Sequence, residues 1–171
     1  MEYGLVLAAY PLLFILLLAF AAGYDLATLR IPNWLNALIA VSFFVSAVVG
    51  GYPLSGLALH LGAGALLFAC ALAFALLGQM GGGDVKLIGT IGLWLGFGSQ
   101  LTLFLVSAAV LSFVFALALI AIRLRPASAL AILPPFGWVL RIASGEDAIR
   151  KMRGPFGVPL CIAAAYAAWV S

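Results

Sequence analysis

Only five acidic side chains occur in the 171-residue chain, and two of them, Asp25 and Asp84, stand where long apolar stretches meet short polar connections. An Asp at the centre of a membrane helix costs about 2.5–3.5 kcal/mol, and less toward the interface. Each therefore calls for a compensating use. Two carboxylates brought together in a low-dielectric site cannot both ionise cheaply, so one keeps its proton while the other stays charged. That state suits amide hydrolysis. The ionised member takes a proton from water as it attacks a peptide carbonyl, and the protonated member donates to the developing oxyanion. Either Asp can start in either state. Gly81, Gly82 and Gly83 lead directly into Asp84. Glycine permits positive φ and lets an extended substrate backbone approach without side-chain collision. Taken singly, each acid also has a simpler reading: Asp25 as an interfacial partner of Arg30, and Asp84 as the cap of the next helix, answering Lys86.

The elements that must position these residues are membrane helices. The chain is 67% hydrophobic and only 8% charged, against about a quarter charged in a soluble domain. Stretches of the roughly 20 apolar residues that cross a bilayer recur throughout, so neither a signal peptide nor a single anchor explains them. Strand-like alternation is absent, and backbone satisfaction in lipid then requires helices. The fold class expected is all-α, a polytopic membrane helical bundle of about six transmembrane helices, forming a single domain over residues 1–171. The spans read as 4–23, 34–49 and 57–77, a short glycine-rich fourth helix from Lys86 to a turn at Gly96 and Gly98, a fifth ending near Ile122, and a last one starting near Phe156. Gly50, Gly51, Tyr52 and Pro53 mark one turn. Four glycines between positions 78 and 83 mark another.

Charge gives an independent test, because Lys and Arg near span ends collect on the cytoplasmic side. With six spans, Arg30, Lys86, Arg123, Arg125, Arg141, Arg150, Lys151 and Arg153, which are all eight basic residues, fall on one face. The same face holds Asp25 and Asp84. Both termini are then expected outside, with the acids at the cytoplasmic face of the inner membrane. The net charge of +3 reflects topology and contacts with anionic lipid; it is not a nucleic-acid surface, because the basic residues lack aromatic interleaving. Residues 129–143 are apolar but contain Pro134, Pro135 and Gly137. They read as an interfacial piece within a cytoplasmic connection over 123–155, followed by a short polar helix over 146–153. Cys70 and Cys161 read as small core residues, with no disulfide framework, metal site or cofactor implied. His60 lies at the outer end of the third span, on the wrong face to join the acids. Asn33 is placed to cap the second helix.

The run Gly81-Gly82-Gly83-Asp84-Val85-Lys86 resembles the GxGD motif, in its G-x-G-D-x-K form, of type IV prepilin peptidases. Asp25 followed by Arg30, Ile31, Pro32 and Asn33 is similar to that family's first-aspartate region with its I-P-N signature, and Gly154 to Pro159 resembles its Pro-Phe-Gly entry to the final helix. The resemblance covers nearly the whole chain. It implies that Asp25 and Asp84 are the catalytic dyad, that Gly81, Gly82 and Gly83 form the substrate approach, and that the partner is a prepilin whose basic leader is cut after a glycine. Apart from the resemblance, Arg30 is placed to bias which aspartate ionises, and Lys86 could tune the dyad or hold a substrate acid, although its default reading is a cytoplasmic anchor on lipid phosphate. The cytoplasmic insertion with paired CxxC motifs found in longer members is absent, so the resemblance is to a peptidase-only form without N-methylation. Presenilin-like relatives share GxGD, and Tyr24-Asp25 echoes their Y-D pair, but their Pro-Ala-Leu element is missing. Two rivals from other classes remain: a small transporter or channel, whose acids would lie near the midplane, and a catalytically inactive pilus-assembly protein.

Overall fold

The computed structural model describes residues 2–78, 80–123 and 156–170. Within them the chain forms six helices and no strand: α1 (Glu2–Thr28), α2 (Asn33–Val49), α3 (Leu54–Leu76), α4 (Gly82–Leu95), α5 (Ser99–Arg123) and α6 (Gly157–Trp169). Helices α1, α3 and α5 each contain a stretch long and apolar enough to cross a membrane, and α2 and α6 are shorter apolar helices. The expected all-α membrane bundle is what the chain forms. The connection over 123–155, with its interfacial piece and polar helix, lies outside the described residues apart from Arg123 at the end of α5.

Large apolar side chains are exposed along the outer faces: Leu16 and Phe20 on α1, Val41 and Val48 on α2, Leu66 and Phe74 on α3, and Val106 and Phe113 on α5. In water such a surface would aggregate; in lipid it is simply solvated. The interior is drawn from every helix, with Phe14 and Leu18, Leu35 and Ile39, Leu67, Leu87 and Ile91, Phe104, and Leu160 fused into one core. Helix α4 is the hub. It is only 14 residues long, and Val85, Leu87, Gly89, Ile91, Gly92, Leu93 and Leu95 are all buried. At 1.5 Å per residue it rises about 21 Å, less than the roughly 30 Å of a hydrocarbon core.

Lipid-solvated helices gain little from hydrophobic association, so close packing of small residues has to hold them. The most extensive contact, α3 against α4, is made this way. A Cβ added at Gly64 would lie 3.1 Å from the Gly89 carbonyl oxygen, and one at Gly92 would lie 2.9 Å from the Ala63 carbonyl oxygen. Ala163, Ala164 and Ala167 are fully buried on α6, which packs between α1 and α5. The helix ends follow the expected punctuation. Pro32 and Pro53 sit at the N-cap positions of α2 and α3, while Gly51, Gly78 and Gly96 take positive φ in the turns.

Two expectations change. Asn33 does not cap α2; Pro32 holds the cap position with no side-chain cap bond, and Asn33 Oδ1 instead accepts from Lys86 Nζ at 2.6 Å. Cys161 is a buried core residue as expected, but Cys70 is exposed on α3. Replacing Gly92 by Ile must separate two backbones and should cost about 1–3 kcal/mol. A melting point in detergent should fall by several degrees, whereas Gly98→Ala, where an added Cβ meets nothing, should leave it unchanged.

Candidate active site

At one end of the bundle the last turn of α1, the α1–α2 connection, the α3–α4 loop, α5 and the start of α6 enclose a cavity of about 660 Å³. Both candidate acids line it, together with Arg30, Gly81, Gly82, Gly83, Ser112 and Phe156. Asp25 is 3% exposed; Asp84 is half-buried. Each lies within reach of the other's charge.

Asp25 is in the final turn of α1, inside the helix rather than beyond it. The turn closes through Leu29, which takes φ +54° and donates its N–H to the Asp25 carbonyl at 2.8 Å. A positive φ in a residue other than glycine is strained, and strain of this kind gathers at functional sites. Here it turns the chain sharply so that Ile31 is driven inward. The Asp25 side chain is fixed from elsewhere: Gly157, the first residue of α6, donates its backbone N–H to Asp25 Oδ2 at 2.9 Å. The first N–H groups of a helix have no partner within it, so Asp25 satisfies α6 as α6 orients Asp25.

Asp84 is the third residue of α4. Gly81 holds the N-cap position, so Asp84 lies inside the first turn of α4 rather than at the cap residue itself. An acid in the first turn does interact favourably with the positive end of the helix dipole. The segment is tied down by Asn36, whose Nδ2 donates to the Gly83 carbonyl at 3.2 Å. Asn36 is 4% exposed, and its Oδ1 is buried without a partner among the described residues. An orphaned buried acceptor costs about 1–3 kcal/mol, which marks the bond to Gly83 as the reason for a polar residue here.

Gly82 and Gly83 divide their work. A Cβ at Gly83 would lie 3.0 Å from the Ile31 carbonyl oxygen, so that side of the loop is filled by the α1–α2 connection and not open to a substrate. At Gly82 an added Cβ meets nothing within 4 Å, and Gly82 is exposed. Gly157 is the tightest position: a Cβ would lie 2.7 Å from Asp25 Oδ2 and 2.8 Å from Ile31 Cδ1. Arg30 borders the cavity as expected, but Lys86 lines a different groove with Asn33. His60 lies apart from the acids, its Nδ1 2.9 Å from the Leu93 carbonyl oxygen and its ring beside Phe43 and Tyr52. Sequence reasoning missed Ser112 and Asn36. Both are polar residues within apolar spans, the signal that could have found them.

In comparison with known families, the pattern of the type IV leader peptidase family fits residues 12–122. The chain belongs to that family. The matched segment contains both acids and the three glycines, while the Pro-Phe-Gly entry to α6 lies beyond it. No curated protein and no solved structure matches the chain. The protein is thus a membrane peptidase.

Gly157→Ala should push the Asp25 carboxylate out of position and lower kcat about 10- to 100-fold. Gly23→Ala, two residues before Asp25 with open space around it, should leave turnover intact. Initial-rate kinetics on matched membrane preparations checks both.

Proposed function

We propose that this leader peptidase is an aspartic endopeptidase in which Asp25 and Asp84 form the catalytic pair. It would remove basic leaders from prepilin-like precursors at the cytoplasmic face of the inner membrane, without methylating the product. The observation that carries this reading is the convergence of both carboxylates on one cavity at one end of the bundle, beside an open glycine. Family membership disfavours the transporter reading, and placement of the acids at a helix end rather than along a path points the same way.

One carboxylate takes a proton from water, and the water oxygen bonds to the scissile carbonyl carbon. The other, protonated, gives its proton to the carbonyl oxygen. Collapse of the tetrahedral intermediate breaks the C–N bond: one hydroxyl returns its proton to the second carboxylate as the C=O re-forms, and the proton taken from water goes to the departing amine, which is the new N-terminus of the pilin. Asp25 is suited to a fixed position, because Gly157 holds Oδ2 and leaves Oδ1 for chemistry. A prepilin presents a basic leader, the scissile bond and then an apolar helix. Docking that helix in the bilayer beside the bundle places the bond at the cavity and replaces a three-dimensional search with lateral diffusion. Arg30, at the cavity edge, is available to a substrate carbonyl or acid.

Asp25→Asn and Asp84→Asn should each reduce leader cleavage by more than about 100-fold while still inserting in the membrane. The assay is incubation of the purified peptidase with a prepilin followed by N-terminal sequencing of the product. Normal cleavage by either folded variant refutes the assigned pair. The glycines give a finer test. Gly82→Trp should block turnover with an unchanged melting point, since a Cβ added there meets nothing within 4 Å. Gly83→Val should lower both, because its side chain meets the Ile31 backbone.

A further inference from the structure

Helices α2 and α3 both pack on α4 and meet each other at one end, where Phe43 of α2 lies beside His60 of α3. The space left between them is a groove of about 500 Å³, floored by Lys86, Gly89, Thr90 and Leu93 of α4 and walled by Phe44 of α2 and Phe68 of α3. The floor residues stand at i, i+3, i+4 and i+7, one face of the helix. At 100° per residue, Lys86 is about 200° around α4 from Asp84, so the groove opens on the side away from the acids and is not a route to them. It runs about 10 Å along α4, from Lys86 to Leu93, at 1.5 Å per residue.

Its chemistry is lopsided. The walls are apolar apart from Asn36, and the polar end holds Asn33 and the exposed Lys86. Asn33 takes one of the three ammonium donors, and an anion can accept the others. Charge decides between occupants: Lys86, the cation at the polar end, matches a single phosphate set beside apolar chains, the chemistry of an anionic lipid. A flexible hydrocarbon chain fits a space of this volume and shape.

We propose that this groove binds one anionic phospholipid of the bilayer, with an acyl chain between α2 and α3 and the phosphate on Lys86 beside Asn33. Lys86 then serves the membrane rather than the acids, and α2 is held by lipid on the side that faces the groove. The inference stands independently of the proteolytic reading.

The test is native mass spectrometry of the purified full-length protein with dioleoylphosphatidylglycerol or dioleoylglycerol, which share chains and differ in the phosphate. The phosphatidylglycerol should bind about fivefold more tightly, the scale of one Lys against lipid phosphate. Lys86→Met should erase that preference, and Ala65→Phe, which fills the groove from an exposed wall position, should weaken both lipids. Equal binding of the two lipids by the unaltered protein overturns the proposal, as does a preference that survives Lys86→Met or binding indifferent to Ala65→Phe. A prepilin that displaces the lipid from the unaltered protein but not from Lys86→Met would assign the groove to substrate and likewise overturn it.

Discussion

The site depends on three backbone segments approaching more closely than any side chain would allow. Ile31 is wedged between Gly83 and Gly157, whose absent Cβ atoms would lie 3.0 Å from its carbonyl oxygen and 2.8 Å from its Cδ1. One segment carries Asp84, another holds Asp25 by its backbone N–H, and the wedge itself follows directly from the helix that bears Asp25. Protein interiors repack poorly around even one added methylene. A constraint this tight fixes where the two carboxylates stand relative to each other. It also uses charge economically, because each acid lies at the N-terminal end of a helix, Asp84 within α4 and Asp25 against α6.

Around that wedge, α4 is held by polar bonds suited to a lipid environment. From α2, Asn33 accepts from Lys86, Asn36 donates to Gly83, and the Ile39 carbonyl accepts from Trp94 Nε1 at 2.9 Å. Positions 33, 36 and 39 recur every three residues along one face of α2. At the far end His60 of α3 approaches the Leu93 carbonyl, and Trp94 stacks on Phe14 of α1 with ring centroids 4.6 Å apart. Interhelical bonds of this kind are individually modest in membranes. Their effect is to set the register of α4, which carries one acid and is too short and too glycine-rich to set it alone.

Much of this was legible in the sequence. The hydropathy of the spans, Gly50 to Pro53, Gly78 and Gly96 gave the six helices of the described residues and most of their boundaries, because glycine and proline act locally. The two acids and the glycine run were legible because charge is rare in apolar sequence. What local pattern could not show was which distant backbone each residue meets. Gly83 reads as room for a substrate, yet Ile31 fills that room, since nothing in a glycine records what approaches it. Asn33 reads as a cap, yet Lys86, 53 residues away, takes its oxygen. Lys86 reads as a neighbour of Asp84, yet two steps around a helix put it on the opposite face. Gly157 entered only through a motif resemblance; its hydrogen bond to Asp25 spans 132 positions and is invisible without the fold.

The central claim is that Asp25 and Asp84 act on one reacting atom. The most direct measurement is a structure of the peptidase with a prepilin-like peptide whose scissile amide is replaced by a hydroxyl-bearing isostere of the tetrahedral intermediate. Both carboxylates should lie about 2.6–3.2 Å from that hydroxyl, with Gly157 still bonded to Asp25. A hydroxyl bound to one carboxylate alone, with the other turned away from the cavity, would contradict the pairing.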